Sequence, residues 1–439
     1  MVSRAKRRVW IGSAVVLFAA VGSAWWFGPA LCVGRAEAAL VAQEWPAVEA
    51  WTARARAWAS KDPRVVMWSA RVARKLGRYA EMDRCLDEAR LLGVPGRRLE
   101  VERWLAESES GNIVNLRREL GDLLLKGEDL PAVCEAFARG CVATYRLDDA
   151  LSVLSTWQAD FPEDPQPHFL RGRLLEHRSN LDGAADEFQA ALRKAPRHGP
   201  AAFNLARIRI GQQKIEEALA LYRLAGPSLP DPQPALVGEA RCLRELSRLD
   251  EARAVVDQAL ARPKDRLEEA YRLTGERSET ALAQAAAERG QIELDADKPE
   301  EAERWFARAV EANPHDWRVR HSHAAALRQL GRTKEAAEET ERVEATQSAL
   351  AACDRLIDRL KKQPDDLEAR FGVGKMLLEH VSPNQGLVWL NSVLSYEADH
   401  VAARELLARY YEDHRAENPE YSMLAELHRR RLAEIAAKR

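Results

Sequence analysis

The sequence predicts an all-α chain, a curved stack of helical hairpins preceded by one membrane-length apolar helix. Three observations predict it: small residues recur at a 34-residue interval, prolines recur with them, and the Val-, Ile- and Thr-rich runs that mark strands are scarce. Among 439 residues, 66 Lys and Arg stand against 68 Asp and Glu. That balance creates no bulk positive field, so a nucleic-acid partner is not predicted. A 46% hydrophobic and 31% charged composition describes a chain able to bury a core.

The amino terminus is read first as a membrane anchor. Residues 1–8 form a basic stub with Arg4, Lys6, Arg7 and Arg8, and residues 9–27, Val9 to Phe27, carry no charge. At about 1.5 Å per residue that stretch spans roughly 28 Å, the thickness of a hydrocarbon core. The basic flank keeps the amino terminus in the cytoplasm and places the rest outside it, in the manner of a bacterial inner-membrane protein facing the periplasm. Trp25, Trp26 and Phe27 stand where an interfacial aromatic belt belongs. A second reading stands beside it, a secreted chain cleaved at a small-residue site around Gly22 and Ala24.

The hairpins come next. Ala138, Gly172, Ala206 and Ala240 are spaced by 34, as are Ala150, Ala184, Ala218 and Ala252, and Leu154, Phe188, Tyr222 and Val256. Pro162, Pro196 and Pro230 keep the interval, and Pro263 falls one residue early. The two small positions are twelve apart, one on each of two short helices, and the bulky residue four further on shares the second helix's face. Small side chains let the helices approach, the bulky one fills the space beside them, and proline ends the second helix.

These residues resemble the tetratricopeptide repeat, whose pattern has small residues at positions 8, 20 and 27, a large apolar residue at 24 and proline at 32. Ala191, Ala225 and Ala259 meet position 27, whereas Trp157 breaks it. The resemblance implies a right-handed superhelical solenoid of tetratricopeptide-type hairpins over residues 31–350. Units begin at Pro63, Arg97, Pro131, Pro165, Gly199 and Gln233, and the best lie within 131–266. In the first two, Met82 and Leu116 replace the second small residue. A half unit with Trp45, Trp51 and Trp58 leads in from Leu31, leaving no flexible linker after the anchor.

An insertion of about sixteen residues, near 267–282, interrupts the period before it resumes with Gly290, Ala302, Phe306, Ala309, Pro314, Ala324 and Ala336. Arg332 to Gln363 contains neither Gly nor Pro, which predicts a long helix. Residues 351–439 read as degenerate units, with Phe371, Gly372, Gly386, Leu390, Leu407, Ala408 and Tyr411, capped by the polar segment from Asn418.

Known chemistry finds no foothold. Phe371-Gly372-Val373-Gly374-Lys375 fails the phosphate-loop spacing, with Ala369 at the first glycine and Met376 after the lysine. His321 and His323 diverge by about 200° on a helix and cannot share a metal. The six cysteines form no CxxC or zinc spacing, and Cys134 and Cys141, roughly 10 Å apart along one helix, are beyond disulfide reach. Neither a metal, nor a cofactor, nor an enzyme activity is predicted.

The candidate site is the concave face lined by the first helices. By resemblance, position 9 faces it, and carries Arg71, Arg139, Arg173, Arg207 and Arg241, interrupted by Leu105. Phe169 and Phe203 at position 5 and Asn204 at position 6 add an apolar floor. This groove of Arg139, Phe169, Arg173, Phe203, Asn204, Arg207 and Arg241 suits an acidic, partly apolar peptide of a protein partner. Glu135, one turn before Arg139, offers that arginine an internal partner instead. Of the family's clamp for chaperone tails only Asn204 matches, since Phe169, Arg173, Pro234 and Gly238 stand at the other positions. The reading is a membrane-anchored scaffold or adaptor, with a self-assembling envelope protein or an enzyme's regulatory subunit as alternatives.

Overall fold

A computed structural model describes residues 28–437 apart from 114, 128, 264–265, 276–280 and 417. The predicted stub and span lie outside the described residues. Among the described residues there are 23 α-helices and no strand, and no helix is long and apolar enough to cross a membrane.

The helices pair as hairpins in chain order: α1 (28–41) with α2 (Trp45–Trp58), α3 (Pro63–Leu76) with α4 (Tyr79–Leu91), and α5 (Gly96–Glu109) with a shortened α6 (Arg117–Lys126). The regular ones follow as α7 (Leu130–Ala143) and α8 (Leu147–Asp160), α9 (Gln166–His177) and α10 (Leu181–Lys194), α11 (Gly199–Gly211) and α12 (Ile215–Ala225), then α13 (Gln233–Glu245) and α14 (Leu249–Leu260). The segment predicted as an insertion is itself partly helical, α15 (Leu267–Thr274). Beyond it come α16 (Ala281–Asp295) with α17 (Pro299–Ala312), α18 (Trp317–Gln329) with α19 (Thr333–Lys362), α20 (Leu367–His380) with α21 (Pro383–Tyr396), and α22 (Val401–Asp413) with α23 (Pro419–Ala437). The 30-residue α19 is the predicted long helix, and it runs straight through the division drawn at residue 350.

The small residues do what their spacing predicts. Ala138, Ala150, Ala184, Ala206, Ala218, Ala240 and Ala252 are all fully buried, as are Leu154, Phe188 and Val256. A Cβ added at Gly172 would lie 2.6 Å from the Phe188 ring, so only glycine fits beneath it.

From α1 to α19 each hairpin turns through one left-handed residue, and these residues expose the register where the consensus fades. They are Gln43, Gly77, Gly111, Tyr145, Ser179, Gln213 and Ser247, every one with positive φ and every one 34 after the last. The next is Asp297, fifty on, and then Gly331, again 34 on. The excess of sixteen at one step measures the insertion. A left-handed residue lets the next amide bond back to the carbonyl five residues earlier, as Arg146 N does to Cys141 O (2.7 Å) and Asn180 N to Leu175 O (2.9 Å).

The stack coils until later units touch earlier ones. Arg370 of α20 is fully buried and donates to Thr144 O (2.9 Å) in the α7–α8 turn, where Tyr145 lies against Trp389 and Arg146 donates to the Tyr396 hydroxyl (2.6 Å). Inside the coil, α15 packs against α3, α11, α13 and α16. The carboxy-terminal α23 closes the stack by burying Ala425 and His428 on α22.

Candidate functional site

The concave wall is built from the first helices, and its arginines meet acidic side chains of the same chain. Arg71 pairs with Glu102 (3.2 Å) and Asp129; Arg74, fully buried, pairs with Glu102 (2.9 Å) and Glu109. Glu135 receives Lys75, Arg139 (2.9 Å) and the Gln166 amide (3.1 Å). Gln166 Oε1 faces a ring nitrogen of His198 at 3.2 Å. Arg139 therefore takes the internal partner that the sequence offered.

The dryness of this wall sets its electrostatics. Burial alone raises the Glu135 carboxyl, but Lys75 and Arg139 outweigh it and hold it well below the ordinary carboxylate range. Burial likewise raises Glu102, and Arg74 and Arg71 bring it down. At His198 burial outweighs the pull of the Glu135 charge and pushes the imidazole down to about 3. Its Nδ1 accepts the Ala201 amide (3.1 Å), so the neutral ring caps α11.

Further along, the predicted groove already holds a piece of this chain. Asn204, fully buried, donates to Thr274 O (2.9 Å), and Arg173 donates to the same oxygen (3.0 Å) and to Gly275 O (3.4 Å). These are the carbonyls at the end of α15. Gly275 has φ +77 and lies so near the Arg173 guanidinium that a Cβ there has no room. Arg266 and Glu269 reach Glu49 and Arg78, Arg272 reaches the Tyr79 hydroxyl (2.7 Å), and Leu273 joins Trp68, Val72 and Leu76. Arg207 donates to Asn204 Oδ1 (3.0 Å) and pairs with Glu176 (3.5 Å), with 40% of its side chain exposed. Arg241 is exposed.

Two corrections follow for the predicted groove. Phe169 and Phe203 are not its floor: they are 2% and 5% exposed, packed against Phe188 and His198 and against Tyr222. Nor is the face open from Arg173 to Asn204, because α15 lies on it. The structure brings Arg173, Asn204 and Arg207 together and sets Arg139 in the Glu135 network. Glu102, Glu109 and Glu176 are the residues that the sequence reading missed, and Glu135 holds more than the one arginine that reading gave it. Glu135 had left a signal, an acid at the position where neighbouring units carry Phe169 and Phe203.

Paired helices with small residues at their crossings, αL turns that recur every 34 residues and a curved inner wall define a helical-repeat solenoid. Family profiles described as tetratricopeptide repeat match residues 177–238, 136–198 and 287–352 of this chain. Over 282 residues, 61% of its length, the chain is 24% identical to the human protein O-mannosyl-transferase TMTC3, and 29% identical over 106 residues to the Arabidopsis thaliana protein CTR9 homolog. It covers only 28% and 10% of those two proteins. Among solved structures, the type IV pilus biogenesis factor PilW is similar at 16% identity and a TM-score of 0.41, covering 50% of this chain and 94% of that one.

Proposed function

We propose that this chain is a membrane-anchored, envelope-facing scaffold that binds a segment of another protein on the concave face of its repeats. The observation that carries the reading is the grip on α15. Asn204 and Arg173 both donate to the main-chain carbonyl of Thr274, a chemistry that recognises peptide backbone whatever its sequence. Arg207 and Arg241 flank that grip with exposed guanidinium surface, which suits an acidic segment. The anchor in this reading is residues 9–27, with the amino terminus in the cytoplasm and the repeats outside it. The activity in the name of the human relative is not carried over, because the shared stretch is a minor part of that protein.

Affinity capture from detergent-solubilised membranes tests this, with Arg207→Ala/Arg241→Ala as control. A partner retained by the parent, and lost from the variant or weakened with a shallower salt dependence, supports the groove. Equal capture by a folded variant moves the binding surface elsewhere on the solenoid.

A further inference from the structure

We infer that the α1–α2 end of the solenoid is seated in the headgroup layer of an anionic bilayer; this rests on the reading of residues 9–27 as a membrane span. The first described residue after that span, Gly28, lies under the Trp58 ring, so closely that a Cβ on it would stand 2.6 Å from the ring. The end of α2 is thus folded back against the point where the chain leaves the predicted span. Trp58 nevertheless keeps 41% of its surface exposed, and Leu31, one turn into α1, keeps 62%.

This end is fixed to the body of the protein rather than tethered to it. Cys32 packs with Ala55 and Val65, tying α1 to α2 and α3, and Ala36 joins Trp45, Val48 and Trp68 in the next layer. A helix rises about 1.5 Å per residue, so Leu31 stands about 5 Å beyond Gly28, and the headgroup zone is about 5–7 Å deep on each side. Leu31 and Trp58 therefore fall at the depth where Trp and aliphatic side chains partition between acyl chains and water. Arg35 stands one turn after Leu31, Arg54 one turn before Trp58 and Lys61 three residues after it, all exposed and without a carboxylate partner among the described residues; Glu37 is the exposed acid on the same helix as Arg35. Such cations next to a membrane surface are drawn to anionic lipid. The surface fits a bilayer better than a protein because a short, half-exposed aromatic–aliphatic pair, with exposed cations near it in sequence that hold no carboxylate and of which Arg54 lies over the Trp51 ring, borders the predicted span.

The six native cysteines are buried, so nitroxide labels can be directed to introduced exposed ones. The full chain is reconstituted in vesicles of phosphatidylglycerol and phosphatidylcholine with a label at Val16→Cys, Leu31→Cys or Leu427→Cys. Oxygen and a water-soluble nickel chelate then report depth. The expected result is hydrocarbon depth at 16, an oxygen-to-nickel accessibility ratio at 31 several-fold above that at 427, and a fall toward the value at 427 when Arg35→Glu/Arg54→Glu/Lys61→Glu is added. A label at 31 as wet as that at 427, with 16 still in hydrocarbon, overturns the seat and leaves the anchor standing. A wet label at 16 overturns both. Depth at 31 that ignores the charge reversal overturns the role given to anionic lipid.

Discussion

Two stretches of the same solenoid solve one packing problem differently. From α9 to α14 the hairpins close on small residues beneath large ones, with Gly172, Ala184 and Phe188 repeated as Ala206, Ala218 and Tyr222. From α3 to α7 the inner wall is held instead by charge, with Arg74, Glu102, Glu109 and Glu135 buried almost completely. Apolar packing tolerates small losses, whereas a desolvated ion network stands or falls with each partner, because a charge left behind is buried and unpaired. The two regions should therefore respond very differently to single substitutions.

The largest effect is expected in the charged wall. Glu135→Ala strands Lys75 and Arg139 inside the protein and should cost about 3–5 kcal/mol in urea denaturation. A midpoint like the parent's would mean that water or a neighbouring acid reaches those cations, and that the network is weaker than its burial implies. In the apolar stretch, Ala184→Leu or Ala218→Leu inserts bulk where the alanines have no exposed surface, at a cost of roughly 1–3 kcal/mol. Unchanged midpoints for both would contradict the tight crossings of α9 with α10 and α11 with α12.

The contrast also explains what the sequence showed and what it hid. Apolar positions must be filled by a narrow set of side chains, so the 34-residue period, the hairpins, the long α19 and the sixteen-residue excess were legible from residue types alone. Charged contacts across units leave no such imprint: Arg74–Glu102 and Arg78–Glu269 join residues 28 and 191 apart, and nothing local announces the pairing. The predicted groove suffered for the same reason. Resemblance put the arginines on the inner face of the repeats, but α15 is a short helix without repeat periodicity, and its burial is decided by the coil closing around it. Phe169 and Phe203 were misplaced because an aromatic beside a groove and one beneath it have the same spacing.

Acid should separate the two mechanisms further. The His198 imidazole has an ordinary value near 6.5 and about 3 when folded, so the unfolded chain takes up a proton first as pH falls. Stability is then lost on acidification from about pH 6.5, by about 2 kcal/mol at pH 5 from this group alone. Glu135 and Glu102 are depressed, so their contribution is complete above about pH 4.5 and lost below it as they are protonated. Urea midpoints across pH 7 to 4 should show the loss beginning above the carboxylate range. His198→Gln should flatten the part between pH 6.5 and 5; a profile identical to the parent's would assign that loss to other groups.

The smallest effects belong to the turns, and there the two kinds of packing meet. A left-handed conformation costs an ordinary L-residue about 1–2 kcal/mol, while glycine adds about 0.5–1 kcal/mol of unfolded-state entropy, so Gln213→Gly or Ser247→Gly should stabilise by about 0.5–1 kcal/mol. Both residues are exposed and their side chains support nothing else in the coil. Tyr145 has the same backbone conformation, but its ring lies 6.2 Å from Trp389 and its hydroxyl donates to His177 O (3.2 Å). Tyr145→Gly relieves the same strain while removing the side chain that α21 packs on, and burying an aromatic ring contributes more than the strain costs. The sign should therefore reverse, with thermal midpoints rising for Gln213→Gly and Ser247→Gly and falling for Tyr145→Gly. If all three rise together, α21 gains nothing from the Tyr145 ring, and the coil is held closed by contacts such as those of Arg370, Arg146 and α15.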